Sequence, residues 1–293
     1  MIDYHLHLWE HPRKATEITL ETLSKYCERA QSFGITQIAI TEHFHRFVQS
    51  RSWLGDFWNR FDDINLYSSM KSYFDHHSTY DLEDYIEVAT QAKELGLPIV
   101  VGLEMDYYKE EMSQLNEKLS QYPFDVILGS VHWIKNWRFD DLDDPLSFNN
   151  WDSKNLESVW DEYALHMEEL SESKTCDVLA HPDLIKVANK IPKDAGLIRE
   201  FNSRIVDSAK KYDLAAEVSS AGFRKPVNEQ YPSLDLLELF VKNNIPITTA
   251  SDAHRLEDIG SHFEDIKLLI NSLNIKQLAI FHKRQRSIIQ VNQ

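Results

Sequence analysis

The sequence predicts a single-domain α/β protein in which seven parallel strands form a closed or nearly closed barrel. Three observations lead there. Short runs rich in Val, Ile and Ala recur along the 293 residues, and amphipathic helical patterns separate most of them. The runs are continuously apolar, as expected of parallel strands buried on both faces. Nearly every run ends in His, Glu or Asp, and the C-terminal strand ends are where barrels of this kind build their active sites.

The elements follow in order. A first strand over 2–7 carries His5 and His7. Thr19 can cap a helix whose apolar positions Leu20, Leu23, Cys27, Ala30 and Phe33 follow the 3.6-residue period, with Gly34 as its stop. Strands over 37–41 and 99–104 flank a second helix, capped by Asp81, with Leu82, Tyr85, Ile86, Ala89 and Leu95 facing inward and Gly96 at its end. Further strands are expected at 125–131, 177–181, 215–219 and 247–251. Helical faces follow at Trp160, Tyr163, Met167 and Leu170, at Leu197, Phe201, Ile205 and Ala209, and at Phe263, Ile266, Leu269 and Ile270. Two long connections break the rhythm. Residues 46–80 are aromatic-rich, with Trp53, Phe57, Trp58, Phe61, Tyr67, Tyr73 and Phe74; residues 135–152 are acidic, with Asp140, Asp141, Asp143, Asp144 and Asp152. Both are expected to be insertions of one domain spanning 1–293, packed as covers at the active-site face.

Composition narrows the function classes. With 31 basic against 47 acidic residues the net charge is −16, which opposes binding to long nucleic acid and fits action on a small molecule. The start MIDYHLHLWEH lacks the basic-then-apolar pattern of a signal peptide, and no run of about 18 apolar residues would cross a membrane, so the expected location is the cytoplasm. Cys27 and Cys176 are expected to be buried free thiols. The sequence specifies no oligomeric state.

The strand-end residues define a chemistry. Alternate residues of a strand share a face, so His5 and His7 can reach one ion together. Glu42 and His43 follow the second strand, Glu104 ends the third, and His132, His181, and Asp252 with His254 follow later ones. Together, DYHLH, TEHFH, GLEMDYY, GSVHW, AHPDLIK and ASDAH resemble the motifs of the PHP (polymerase and histidinol phosphatase) family, from Asp3 to about Gly260. AHPDLIK, SSAGFRKPVNEQYPS and ASDAHRLEDIG resemble its histidinol-phosphate phosphatase branch most. The resemblance implies a distorted TIM-like (β/α)7 barrel holding two or three divalent metals. It also implies phosphomonoester hydrolysis, with histidinol phosphate as the type substrate.

The residue chemistry agrees. A mixed N/O donor set suits Zn, Mn or Fe. His5, His7, Asp252 and a bridging Glu104 would make one site, and Glu104 with His132 and His181 a second. His43 and His254 would share a third; the family completes it from the loop after the first strand, where His11 is preferred over Glu10 and Glu17. By the same resemblance Arg224 would bind phosphate with its planar fork. Lys186 is a second phosphate candidate, although Asp183 could pair with it. Glu104 and Asp252 are expected to be catalytic, Glu42 to orient a histidine ring, and His45 to protonate the leaving alkoxide. Trp133 or Trp53 could stack on a substrate imidazole. His76, His77, His166, His262 and His282 are expected on helices or at the surface. Competing readings are a PHP phosphoesterase for a nucleotide, cyclic phosphate or oligonucleotide end, and a non-catalytic metal-binding regulatory domain. The second is disfavoured because no ligand position is apolar.

Overall fold

The structure is a computed structural model that describes residues 1–11, 13–60 and 63–291; Phe61 lies outside the described residues. Seven parallel strands occur in the sheet in chain order. They are β1 Asp3–Leu6, β2 Ile38–Ile40, β3 Ile99–Asp106, β4 Val126–Ser130, β5 Val178–Leu179, β6 Ala215–Ser219 and β7 Ile247–Ala250. All seven lie where the apolar runs place them, and every strand residue is buried.

The ring closes between β1 and the segment after β7. Leu6 and Ala253 form a parallel bridge. The Asp252 N–H donates to the His5 carbonyl and the His7 N–H to the Ala253 carbonyl, both at 2.7 Å. Asp3 adds a side-chain rivet: its carboxylate accepts from the Ser251 N–H at 2.8 Å and the Ser251 hydroxyl at 2.6 Å. The fold is thus a nearly closed TIM-like barrel, and its seam runs through residues that carry the site.

Helices surround the strands. Leu20–Ser32 begins at Thr19, whose side chain accepts the Thr22 N–H, and it buries Leu23, Tyr26, Cys27 and Ala30. Leu82–Glu94 begins at Asp81, which accepts the Glu83 N–H. Here one expectation is corrected: Leu95 is 68% exposed, because the helix ends at Glu94 and the chain turns away at Gly96 (φ +89°), leaving Ala92 to complete the inner face. Cys27 and Cys176 are buried and free. At the opposite end of the barrel, the hairpin Gln277–His282/Gln285–Gln290 is anchored by Arg284 on Asp177 at 3.0 Å and by the Lys283 N–H on Asp125 at 3.1 Å.

The two long connections are ordered and meet each other. Residues 46–80 contain the helices Val48–Leu54 and Ile64–His77. Residues 135–152 contain half of a short ribbon, Trp133–Ile134 paired with Trp137–Arg138, and the helix Pro145–Ser153. Arg138 joins the two segments. Its guanidinium lies 4.1 Å above the Tyr73 ring and pairs with Asp141 at 2.5 Å and Asp144 at 3.2 Å.

After β6 the chain makes a tight turn, Ala221–Arg224, and returns so that Ser219 and Tyr231 pair as an antiparallel bridge. A Cβ on Gly222 would lie 2.0 Å from the Glu229 carbonyl oxygen, a backbone atom with little room to yield. Gly222→Ala is expected to cost at least ~1–3 kcal/mol, as overpacking does, and to lower Tm by several degrees. Thermal unfolding of the purified variant checks this; a Tm within 1 °C or so of the parent (about the resolution of such a comparison) would show that the turn relaxes freely.

Candidate metal centre

The C-terminal ends of the strands bring the candidate ligands into one buried cluster around Glu104. This carboxylate is fully buried and ends up among five imidazoles. Its Oε2 lies 2.5 Å from His43 Nδ1, 3.4 Å from His5 Nε2 and 3.6 Å from His7 Nε2. Its Oε1 lies 3.1 Å from His181 Nε2 and 3.5 Å from His132 Nε2. Asp252 Oδ1 stands across the cluster, 3.3 Å from His7 Nε2 and 3.8 Å from His5 Nε2. Four groups of donor atoms are close enough to share an ion: His5, His7 and Asp252; His5, Glu104 and His181; His7, His43 and His254; and His43, Asp106 and His132.

The donor set fits divalent metals. His5 Nε2 and His7 Nε2 face each other at 3.1 Å, and His43 Nε2 and His254 Nε2 at 3.3 Å. Two nitrogens each about 2.0 Å from one tetrahedral ion lie about 3.3 Å apart, so this spacing is the one that a shared cation sets. The charges agree. Burial alone would lower His5 and raise Glu104, yet Glu217, Glu104 and Asp252 hold His5 well above its ordinary range, and the imidazoles hold Glu104 well below its own. His43 and His254 go the other way: burial, with His7 beside both, pushes them well below the ordinary range. The cluster thus demands positive charge but has no room for a proton on every ring.

Further carboxylates orient the rings. Glu217, on β6, accepts from His5 Nδ1 at 2.8 Å, which fixes the His5 tautomer and turns Nε2 toward the cluster. Asp106, two residues beyond Glu104 and on the same strand face, lies 2.6 Å from His132 Nδ1. Burial opposes its ionisation, but His132 overrides this and holds the Asp106 carboxyl down to about 2. Neither residue was singled out from sequence. Glu217 had a readable signal, a lone acid in an apolar strand, and Asp106 had its two-residue spacing from Glu104. Glu42 accepts the backbone N–H groups of Leu8 and, at 3.0 Å, Trp9, so it fixes the turn that carries His7; its other oxygen lies 3.6 Å from His7 Nδ1. Two members of the cluster sit in the left-handed backbone region, His181 at φ +26° and Asp252 at φ +50°. Strain of this kind gathers at functional sites, where the surroundings enforce it.

The cluster opens into a cavity of about 760 Å³. His45, Tyr73, His77, Trp133, Asp140 and Arg224 are among its walls. Arg224 donates through one guanidinium nitrogen to the carbonyls of Ser251 at 2.7 Å and Asp252 at 2.9 Å. Its Nη1 is buried without a hydrogen-bond partner among the described residues.

Several expectations change. Lys186 is buried away from the cavity lining, and its ammonium is spent on Glu229 at 2.6 Å, the Gln230 carbonyl at 2.9 Å and Asp183 at 3.0 Å. Trp53 packs on Phe44 and Tyr122, so of the two tryptophans only Trp133 reaches the cavity. Burial holds the His45 ring down to about 4, with Tyr73 Oη 3.0 Å from its Nε2; the ring is neutral at pH 7 and has no imidazolium proton to give a leaving alkoxide. His11 lines the cavity, but its Nδ1 lies 3.2 Å from the Arg46 guanidinium, which can only donate. The proton of the neutral ring therefore sits on Nε2, and His11 joins none of the four donor groups. Glu10 pairs with Arg255 at 3.2 Å and Glu17 is exposed. His77 ends a helix as expected, but it is buried at the cavity with its Nδ1 2.9 Å from Arg46.

Comparison with known proteins agrees with this architecture. The PHP domain family matches residues 3–221. A probable histidinol-phosphatase of Deinococcus radiodurans is 26% identical over 208 residues, covering 70% of this chain and 77% of the relative. One of Schizosaccharomyces pombe is 25% identical over 216 residues, covering 69% of each. Among solved structures, the putative histidinol phosphatase of Listeria monocytogenes superposes with a TM-score of 0.72 at 18% identity, over 90% of this chain and 99% of the other. The histidinol phosphate phosphatase of Lactococcus lactis, solved with zinc, L-histidinol and phosphate, does so with a TM-score of 0.67 at 20% identity, over 98% of both chains. At these identities the structural likeness speaks for the fold. With a match that spans well over half of its length, the chain belongs to the PHP domain family.

Proposed function

We propose that this chain is a metal-dependent phosphoric monoester hydrolase that converts L-histidinol phosphate and water to L-histidinol and phosphate. One observation carries the reading: the buried donor cluster around Glu104 opens into a cavity that Arg224 also lines, and the Nη1 of Arg224 has no hydrogen-bond partner among the described residues. The names of the two curated relatives point to the same substrate.

The residues divide the work. His5, His7, Glu104, His132, His181 and Asp252 would hold two divalent ions, Zn, Mn or Fe, and His43 and His254 would contribute to a third. Such ions lower the pKa of water and neutralise phosphoryl charge when bound. Arg224 is braced through one nitrogen on the backbone after β7, and its other terminal nitrogen would donate to a phosphoryl oxygen. A preorganised, charge-assisted donor of this kind holds the phosphoryl group without reorganising as charge redistributes. Glu217 and Asp106 keep His5 and His132 in the tautomers that direct Nε2 inward. Trp133 supplies a flat wall for the organic end of the substrate.

The purified chain is expected to carry at least two transition-metal ions, counted by elemental analysis. Glu104→Gln should lose the most metal of any single ligand change, because Glu104 faces both halves of the cluster; near-parental metal content in that variant would remove its bridging role. Arg224→Ala should lose about 10²-fold or more in kcat/KM with its metal content kept, since a charge-assisted phosphate contact goes. A loss below about threefold would exclude the phosphate role. The substrate is tested by phosphate release from L-histidinol phosphate, AMP and an uncharged alkyl phosphate. A preference for the first of about 10²-fold, near 3 kcal/mol in transition-state binding, is expected. Equal rates, or a preference for AMP, would keep the hydrolase but reject the substrate.

A further inference from the structure

The roof of the cavity shows what distinguishes one phosphomonoester from another. Asp140, Asp141, Asp143 and Asp144 all line it. Three of them are accounted for. Asp141 and Asp144 are paired with Arg138 at 2.5 and 3.2 Å, and Asp144 also caps the helix Pro145–Ser153 by accepting the Leu146 N–H. Asp143 is exposed to solvent. Asp140 differs. Its carboxylate makes no hydrogen bond, and no cation lies within 4.0 Å of it among the described residues. The charged groups that act on it are His132, which would hold metal, Asp141, Lys225 and Asp106. Burial pushes the Asp140 carboxyl above its ordinary range despite His132 and Lys225. Asp140 is half-buried, and a carboxylate partly shielded from water and left unpaired is costly, a cost that a cation delivered by a ligand would relieve.

The placement narrows the ligand. Asp140 stands on the segment that leads from the Trp133/Trp137 ribbon into the helix Pro145–Ser153, on the roof rather than on the barrel. The phosphoryl end of a substrate is drawn to Arg224 and the donor cluster, so Asp140 meets the organic part. An additional phosphate there would face a carboxylate and be repelled.

Resting on the proposed phosphatase activity, we infer that Asp140 is the specificity-determining residue and that its carboxylate pairs with an ammonium on the organic part of the substrate. The class selected is the phosphomonoester of a short amino alcohol. L-histidinol phosphate belongs to that class, as does 2-aminoethyl phosphate. Uncharged alkyl phosphates lack the cation, and nucleotides place anionic or neutral groups against Asp140.

The experiment uses matched pairs on the metal-loaded parent chain and on Asp140→Asn: L-histidinol phosphate against its analogue with hydrogen in place of the amine, and 2-aminoethyl phosphate against ethyl phosphate. The parent should favour the amine in kcat/KM by about tenfold or more, as expected for a charge-assisted contact. In Asp140→Asn that advantage should shrink to less than about threefold, with the change mainly in KM. Asp140→Ser, tested alongside, should show the same collapse, so that a folding defect in one variant does not decide the matter. A parent that gains nothing from the amine in either pair overturns the inference, as does an advantage that survives both substitutions. If L-histidinol phosphate is turned over no faster than AMP while the 2-aminoethyl pair shows the Asp140-dependent advantage, the histidinol reading fails and the amino-alcohol class stands. If L-histidinol phosphate is strongly preferred and its advantage ignores Asp140, the reverse holds.

Discussion

Everything else in this structure depends on keeping one carboxylate, Glu104, ionised and fully buried among five imidazoles. An isolated carboxylate there would neutralise itself by taking up a proton. The rings around it hold its pKa down instead, and the imidazoles of the cluster are pressed so close that His5 and His7 nitrogens approach at 3.1 Å and those of His43 and His254 at 3.3 Å. Neither neutral rings nor fully protonated rings satisfy such a cluster. Divalent cations do, because each replaces several protons and sits between nitrogens rather than on them. The cluster is therefore a metal centre in its electrostatics before any ion is considered.

Holding that arrangement shapes the barrel. The donors stand at the ends of β1, β3 and β7 and in the loops after β2, β4 and β5, so the sheet must close for them to converge. It closes where β1 meets the segment after β7, and the Asp3 carboxylate and the Asp252 N–H make bonds across that seam. Asp252 is thus a ligand candidate and a closure residue at once, which accounts for its left-handed backbone: the seam fixes the main chain and the cluster fixes the side chain. Glu217 does similar double duty on β6. One oxygen accepts a hydrogen bond from the His5 ring and the other accepts the His181 N–H at 3.3 Å, so two ligand-bearing segments share one anchor.

Much of this was legible in the sequence because barrel chemistry repeats itself. Seven apolar runs place seven strands, and His or acid at their ends places the donors. What stayed hidden was whatever depends on tertiary partners. Lys186 looks like a phosphate ligand until Glu229 and Asp183 come beside it; His77 looks like an ordinary helix residue until Arg46 reaches it. His11 is a plausible ligand by type and position, and only the guanidinium next to its Nδ1 decides which nitrogen keeps the proton. Leu95 fails for a smaller reason, since one residue of helix length moves it from the inner face to water. Glu217 and Asp106 were visible as acids in apolar strands. Their meaning lies in ring nitrogens 2.8 and 2.6 Å away, contributed by segments distant in sequence.

The chain also separates reactivity from selectivity in space. On the proposed function, the barrel ends carry the groups that any phosphomonoester would engage, the donor cluster and Arg224. On the same reading, the two long connections would carry the groups that meet the rest of the molecule, and Arg138 ties them together. Arg138 is held between Asp141, Asp144 and the Tyr73 ring, so the acidic segment and the helix Ile64–His77 form one roof rather than two independent loops. That tie has an electrostatic consequence. By pairing with Asp141 and Asp144, Arg138 offsets part of the negative charge of this segment and leaves Asp140 as the partly buried carboxylate of the roof without a partner among the described residues. A localised charge in a confined space discriminates by position as well as by sign. On the proposed function, recognition by the roof is thereby separable from the donor cluster on the barrel.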